Sequence, residues 1–186
     1  MSSKQQQLKV AGLIKELESN QIPKMTAALQ ELEKVGNESI LPFVSRLLIH
    51  SNESVRKLSE NLMSGLQQQE LVPFIMDLVI KENNQEIRKA ILSSIWNSKL
   101  DYSQHLADFV SLATEGDFMQ AVECLTVIEN LEGPFEEHQL LEAQLYLKEF
   151  LEGEKGNDSQ KDAIISEIAL FIKDQNEGID ADLLLD

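Results

Sequence analysis

Two stretches of the sequence match each other: Leu41-Pro42-Phe43-Val44 with Asn52-Glu53-Ser54-Val55-Arg56-Lys57-Leu58, and Val72-Pro73-Phe74-Ile75 with Asn84-Gln85-Glu86-Ile87-Arg88-Lys89-Ala90. Pro42 and Pro73 are 31 residues apart, and Arg56 and Arg88 are 32 residues apart. A weaker third copy covers 106–109 and 115–121, where Met119 replaces the arginine. Similarity at one fixed period of this size is typical of helical-repeat proteins, in which each repeat packs on its neighbours.

Each copy has the hydrophobic pattern of two helices. Apolar residues at i, i+4, i+7 and i+8 form one face of the first helix: Ile40, Val44, Leu47 and Leu48. The second helix has its own stripe: Val55, Leu58, Leu62 and Leu66. The polar segment 50–53 between them predicts a turn and a helix N-cap. Pro42 and Pro73 lie near helix starts, where a missing N–H costs little.

The same periodicity along the chain predicts an all-α protein with ten helices. No run of Val, Ile or Thr alternates at period two, so we expect no sheet. The predicted helices are 5–18, 23–35, 39–50, 53–67, 70–82, 85–97, 103–114, 117–130, 137–151 and 159–173.

The segments Leu41-Pro42-Phe43, Val55-Arg56 and Ile87-Arg88 resemble the HEAT repeat family. The resemblance is best over 38–100 and extends to about 131. It implies a right-handed α-solenoid of about five antiparallel helix pairs, in which the arginines brace adjacent repeats through hydrogen bonds to carbonyls or carboxylates. Tetratricopeptide repeats are the second candidate, although their Trp…Leu-Gly…Tyr pattern is absent, and an irregular helical bundle is the third.

The sequence predicts a single HEAT-like domain over 1–173, followed by an acidic, leucine-containing tail over 174–186. Three interpretations of the tail stay open. It is a frayed end, a cap on the apolar face of the last repeat, or a short peptide ligand for another protein or a neighbouring copy.

Charge is distributed unevenly along the chain, whose formal net charge is −16. Residues 1–99 contain 11 acids and 12 bases, whereas 100–186 contain 21 acids and 4 bases. Because nucleic acid binding depends on Lys and Arg that neutralise phosphates, we expect no nucleic acid partner. No apolar run is long enough to span a membrane, and the start of the chain lacks the apolar stretch of a signal peptide. We therefore expect a soluble, cytoplasmic protein.

The sequence contains no recognisable catalytic or metal-binding motif. His50, His105 and His138 have no metal-ligand spacing, and we expect them on the solvated surface. Cys124 lies in an apolar helix, which favours core packing over catalysis. The acidic stretch after Asp174 fails the pattern of a calcium loop. We therefore predict no enzyme activity, no cofactor and no metal.

The resemblance implies a non-enzymatic scaffold or adaptor that binds a protein or peptide along its concave face, which the second helix of each pair lines. By that resemblance the partner-binding residues are Lys57, Glu60, Asn61, Ser64, Lys89, Ser93, Asn97, Gln120 and Glu123. Trp96 is expected in the core, with an exposed anchor in the groove as the alternative. Two alternative functions remain: an acidic mimic that masks a basic, nucleic-acid-binding partner, and a solenoid enzyme subunit such as a HEAT-like DNA glycosylase.

Overall fold

The computed structural model describes residues 3–35, 37–153 and 158–183, and these form α-helices and short 3-10 turns with no β-strand. The predicted all-α class is confirmed. The ten helices are α1 (Ser3–Leu17), α2 (Ile22–Val35), α3 (Leu41–Leu47), α4 (Glu53–Ser64), α5 (Val72–Lys81), α6 (Gln85–Trp96), α7 (Leu106–Glu115), α8 (Phe118–Glu129), α9 (Glu137–Glu152) and α10 (Ser159–Leu183).

The helix boundaries differ from the prediction mainly at two kinds of place. A 3-10 turn precedes each of α3, α5 and α7, so the predicted starts of these helices fall in the turns Glu38–Ile40, Gln69–Leu71 and Ser103–His105. At the other end of the chain, α10 continues to Leu183 instead of ending near residue 173. The proposed boundary between domain and tail therefore lies inside a helix, and 184–186 lie outside the described residues.

The chain forms two compact units, which we call unit 1 (1–100) and unit 2 (101–186). The boundary between them coincides with the change in charge, because 1–100 carry a net charge of +1 and 101–186 carry −17. The charge asymmetry seen in the sequence is thus a difference between two structural units. A single HEAT-like domain over 1–173 stays a prediction.

Unit 1 consists of three helix pairs. The helices α1 and α2, α3 and α4, and α5 and α6 contact each other within pairs, and neighbouring pairs are joined by contacts of α2 with α4, α4 with α6 and α3 with α5. The apolar stripes face inward, so that Leu29, Val44, Val55 and Ile91 are almost fully buried. Burial of these stripes is the main favourable term in the folding of the unit.

Unit 2 consists of two helix pairs whose contacts close into a ring. The helix α7 packs on α8 and α9, and α10 packs on the same two helices. Phe109, Cys124, Leu140 and Ile168 fill the interior and have no exposed surface. The expected core position of Cys124 is confirmed.

The turns of the repeated segments are built alike. The Asn52 side chain accepts hydrogen bonds from the N–H groups of Ser54 and Val55 and caps α4, which confirms the N-cap predicted in 50–53. Asn84 caps α6 in the same way, and the Asp117 side chain caps α8. These caps satisfy N–H groups that have no partner within the helix.

The two repeated arginines bind carbonyls, as the resemblance implied, but within their own helix pair. Arg56 donates from Nη1 to the carbonyl of His50 at 3.2 Å, and Arg88 donates from Nη2 to the carbonyl of Glu82. Each acceptor precedes its arginine by six residues and lies in the turn that follows the first helix of the pair. In the described part of the chain, these arginines therefore stabilise the turn within a helix pair. The expected hydrogen bonds between adjacent repeats are not observed there.

Candidate partner-binding surface

The outer face of α4 carries the first group of predicted binding residues. Lys57, Glu60 and Asn61 are exposed and Ser64 is half-buried, because the opposite side of α4 is buried in the core of unit 1. The Lys57 ammonium lies 2.7 Å from the Glu53 carboxylate. This pair is exposed at an i,i+4 spacing and adds little to stability, so Lys57 can exchange Glu53 for a partner's carboxylate at low cost.

The outer face of α6 carries the second group. Lys89 lies 2.7 Å from Glu86, and only 18% of its side chain is exposed. Ser93 is half-buried, while Asn97 is exposed and donates from Nδ2 to the Ser93 carbonyl at 2.9 Å. Because α4 contacts α6, the two groups lie on neighbouring helices. We call the surface of Lys57, Glu60, Asn61, Ser64, Lys89, Ser93 and Asn97, together with Trp96, the α4–α6 face.

Trp96 lies on the outer side of α6, at helical spacing from Lys89 and Ser93. Its position corresponds to Ser64 of the preceding repeat, 32 residues earlier. The side chain is 38% exposed, which favours the anchor interpretation over the expected core packing. A large, stiff aromatic side chain that is partly exposed is a common centre of binding energy in protein interfaces.

The predicted residues of unit 2 behave differently. Glu123 is half-buried on α8, but the Gln120 side chain has no exposed surface, so it cannot contact a partner. Its Nε2 donates to the carbonyl of Leu112 near the end of α7 at 2.7 Å. Gln120 therefore has a packing role, and its assignment to a binding surface was wrong.

Gly116 leaves room for this buried glutamine because it has no side chain. A Cβ atom at Gly116 would come within 2.4 Å of Gln120 Cδ, far inside normal contact distance. The Gly116 N–H also donates to the Leu112 carbonyl at 3.1 Å, so this carbonyl accepts two hydrogen bonds. The signal that identifies Gln120 as buried was present in the sequence, because Gln120 shares a helical stripe with Cys124 and Val127.

The histidines hold local structural positions. His50 Nδ1 accepts a hydrogen bond from the Asn52 N–H at 3.0 Å, and His105 Nδ1 lies 2.7 Å from the Asp108 carboxylate. His138 is exposed and lies 3.1 Å from Glu136. Across the residues that the structure describes, no group of three or more His, Cys, Asp and Glu side chains is placed to hold a metal ion. No described helix is long and apolar enough to span a membrane.

Each helix of unit 2 carries exposed carboxylates. Glu115 on α7, Glu129 on α8, Glu149 on α9 and Glu167 on α10 are all exposed. A mimic of nucleic acid needs its carboxylates on one continuous face, whereas a solubilising charge needs only exposure. Exposed carboxylates occur on all four helices of unit 2 and are not confined to one of them.

Comparison of the chain with protein-family models, curated proteins and solved structures found no match. The resemblance to HEAT repeats thus depends on the segments 41–43, 55–56 and 87–88.

Proposed function

We propose that this chain is a non-enzymatic helical-repeat scaffold or adaptor that binds a protein or peptide on the α4–α6 face. The observation that carries the proposal is the partly exposed Trp96, the only Trp of the chain, beside polar groups on two neighbouring helices. An aromatic anchor surrounded by hydrogen-bonding groups has the composition of a binding hot spot and its polar rim. In this proposal the protein is cytoplasmic.

The proposed architecture is a HEAT-like right-handed α-solenoid of five helix pairs. The contacts of unit 1 support it, because even-numbered helices pack on one another and α3 packs on α5. Unit 2 supports it by the same relation, in which α7 packs on α9 and α8 packs on α10. Stacking of this kind exposes one row of second helices to a partner.

The chemistry of the α4–α6 face suggests the kind of partner. Lys57 and Lys89 occupy equivalent positions of two repeats, and Asn61 and Ser93 lie one turn further along. Such a row suits an extended or helical peptide that places carboxylates beside the lysines and apolar side chains against the tryptophan. The acidic mimic has less support, since the exposed carboxylates of unit 2 are not confined to one helix.

The test is a peptide selection followed by affinity measurements on variants. Peptides are selected from a displayed library on the immobilised protein, and the best binder is titrated against the wild type and Trp96→Ala. We expect Trp96→Ala to weaken binding by about 30-fold, which corresponds to about 2 kcal/mol for a hot spot.

The matched control is Phe74→Ala, because Phe74 is an exposed aromatic residue of unit 1 that lies outside the α4–α6 face. This variant should bind the peptide as the wild type does. Equal affinity of the wild type and Trp96→Ala for every selected peptide would refute the proposed surface.

A further inference from the structure

A groove runs between α9 and α10 in unit 2 and has a volume of about 310 Å³. Its floor is formed by Leu147 and Ile172, which are nearly buried, and its rim includes Leu151, which is 47% exposed. The exposed leucine leaves apolar surface in water that a ligand can cover. The groove is independent of the α4–α6 face, which belongs to unit 1.

The groove is a basic site within an acidic unit. Unit 2 contains four Lys and Arg residues against 21 Asp and Glu residues, yet Lys148 and Lys173 both line the groove. Among the described residues that line it there is no carboxylate. Lys148 lies 3.7 Å from Glu152, an exposed pair of little strength. Ligands with carboxylates beside apolar side chains complement this site.

The chain itself contains a segment of this composition. Residues 177–186 read Glu177-Gly178-Ile179-Asp180-Ala181-Asp182-Leu183-Leu184-Leu185-Asp186, with four acids and five apolar side chains. We call them the acidic leucine segment. The proposed α4–α6 face leaves this segment without a function.

The acidic leucine segment cannot reach the groove of its own chain while α10 is intact. The helix lines the groove from Ala169 to Asn176 and then continues to Leu183. Each further helical residue moves the chain about 1.5 Å along the helix axis and away from the groove. A ligand with this sequence must therefore come from a second molecule.

We propose that the groove binds the acidic leucine segment of a second copy, and that two copies form a symmetric dimer. Two antiparallel α10 helices that cross near residue 177 would place 178–185 of each copy beside 169–176 of the other. A twofold axis then relates the two copies, as in most homodimers, and both grooves are occupied in the same way. The negative charge of the acidic leucine segment then complements Lys148 and Lys173 of the other copy, and its apolar residues complement Leu151.

The test uses light scattering on the full chain and two charge-reversed variants. The groove variant is Lys148→Glu with Lys173→Glu, and the segment variant is Asp180→Lys with Asp182→Lys. We expect the wild type to dimerise and each variant alone to dissociate at least about tenfold more readily. An equimolar mixture of the two variants should dimerise again, because each mixed interface pairs opposite charges at both grooves.

The control is Lys34→Glu with Lys81→Glu, which makes the same charge change at two exposed lysines of unit 1. This variant should dimerise as the wild type does, and circular dichroism should show that all variants keep their helices. The proposal is overturned if the wild type stays monomeric up to about 0.5 mM, well above the dissociation constant of a specific dimer. It is also overturned if the mixture of variants stays monomeric, or if the groove variant matches the control.

Discussion

In both units, side chains donate hydrogen bonds to backbone carbonyls near helix ends, but the residues that donate differ between the units. The last carbonyls of a helix lack partners within the helix. In unit 1, Arg56 and Arg88 donate to the carbonyls of His50 and Glu82, which lie in the turns that follow α3 and α5. In unit 2, Gln120 adds a second donor to the Leu112 carbonyl of α7, and Lys161 from the first turn of α10 donates to the Thr114 carbonyl at 2.7 Å. The feature common to both units is therefore a side-chain donor to a carbonyl at or just after the end of a helix, and the residue type that supplies it changes.

The depth of these contacts also differs between the units. The Arg56 side chain is 39% exposed, whereas Gln120 has no exposed surface. A hydrogen bond in the interior is more costly to remove, because water cannot replace the lost partner. Substitutions at the contact of unit 2 should thus have the larger effects on stability.

The largest effect is expected at Gln120. Gln120→Ala removes the hydrogen bond to the Leu112 carbonyl and leaves a cavity in the interior of unit 2. We expect a loss of about 2–4 kcal/mol in the free energy of unfolding. Urea unfolding followed by circular dichroism gives the value, and amide hydrogen exchange assigns the loss to unit 2.

Gln120→Met is the matched control, because it keeps most of the volume but not the donor. It also removes Gln120 Oε1, a buried atom without a hydrogen-bond partner. The loss for this variant should be about 1 kcal/mol. If Gln120→Ala were as stable as the wild type, the interior role of this residue would be wrong.

A smaller effect is expected at the arginines of unit 1. Arg56→Ala and Arg88→Ala each remove one charged donor to a carbonyl at a partly exposed site, and we expect losses of about 1–2 kcal/mol. Fluorescence of Trp96 follows the unfolding of unit 1, because Trp96 is the only Trp of the chain and lies on α6.

The control for the arginines is Lys57→Ala, which removes a neighbouring cation that binds no carbonyl and changes stability by less than about 0.5 kcal/mol. Wild-type stability of both arginine variants, together with loss of peptide binding, would show that the arginines belong to the binding surface.

The sequence predicts the helices well because each helix has its own local signal. Apolar residues at helical spacing, Pro42 and Pro73 near helix starts, and the polar turn around Asn52 all act within one turn of chain. The α9–α10 groove has no such signal, because it depends on how two helices pack. Positions transferred from the HEAT repeat pattern place Gln120 on the binding surface, although its own stripe with Cys124 indicates burial.

The extension of α10 was missed for a related reason. Acids and apolar residues in 174–183 do not form a clear stripe, so periodicity alone suggested a tail. The structure continues the helix there. Local propensity decides where a stripe is weak, and none of 174–183 is a proline that would end a helix.

The smallest effect is expected in the pH dependence of stability, which should differ between the two units. An arginine stays charged at every accessible pH, whereas Lys161 of unit 2 can lose its proton. Burial lowers the pKa of Lys161 below its ordinary value of 10.5, against the opposing effect of Asp158, Asp162 and Asp117. The unfolded chain therefore holds this proton more tightly than the folded chain does. As pH rises from the lowered pKa towards 10.5, the folded state gains stability from this group.

We therefore expect the stability of the wild type to rise relative to Lys161→Met as the pH rises from neutral towards 10.5. Urea unfolding of both proteins at several pH values measures the difference. Burial raises the pKa of Tyr146 and so destabilises the folded state above pH 10.0, but both proteins contain Tyr146, and its contribution cancels. A difference that stays constant or shrinks with rising pH would mean that Lys161 is solvated as freely in the folded protein as in the unfolded chain. The contact with Thr114 would then be a surface contact, and only Gln120 would distinguish the interior of unit 2 from that of unit 1.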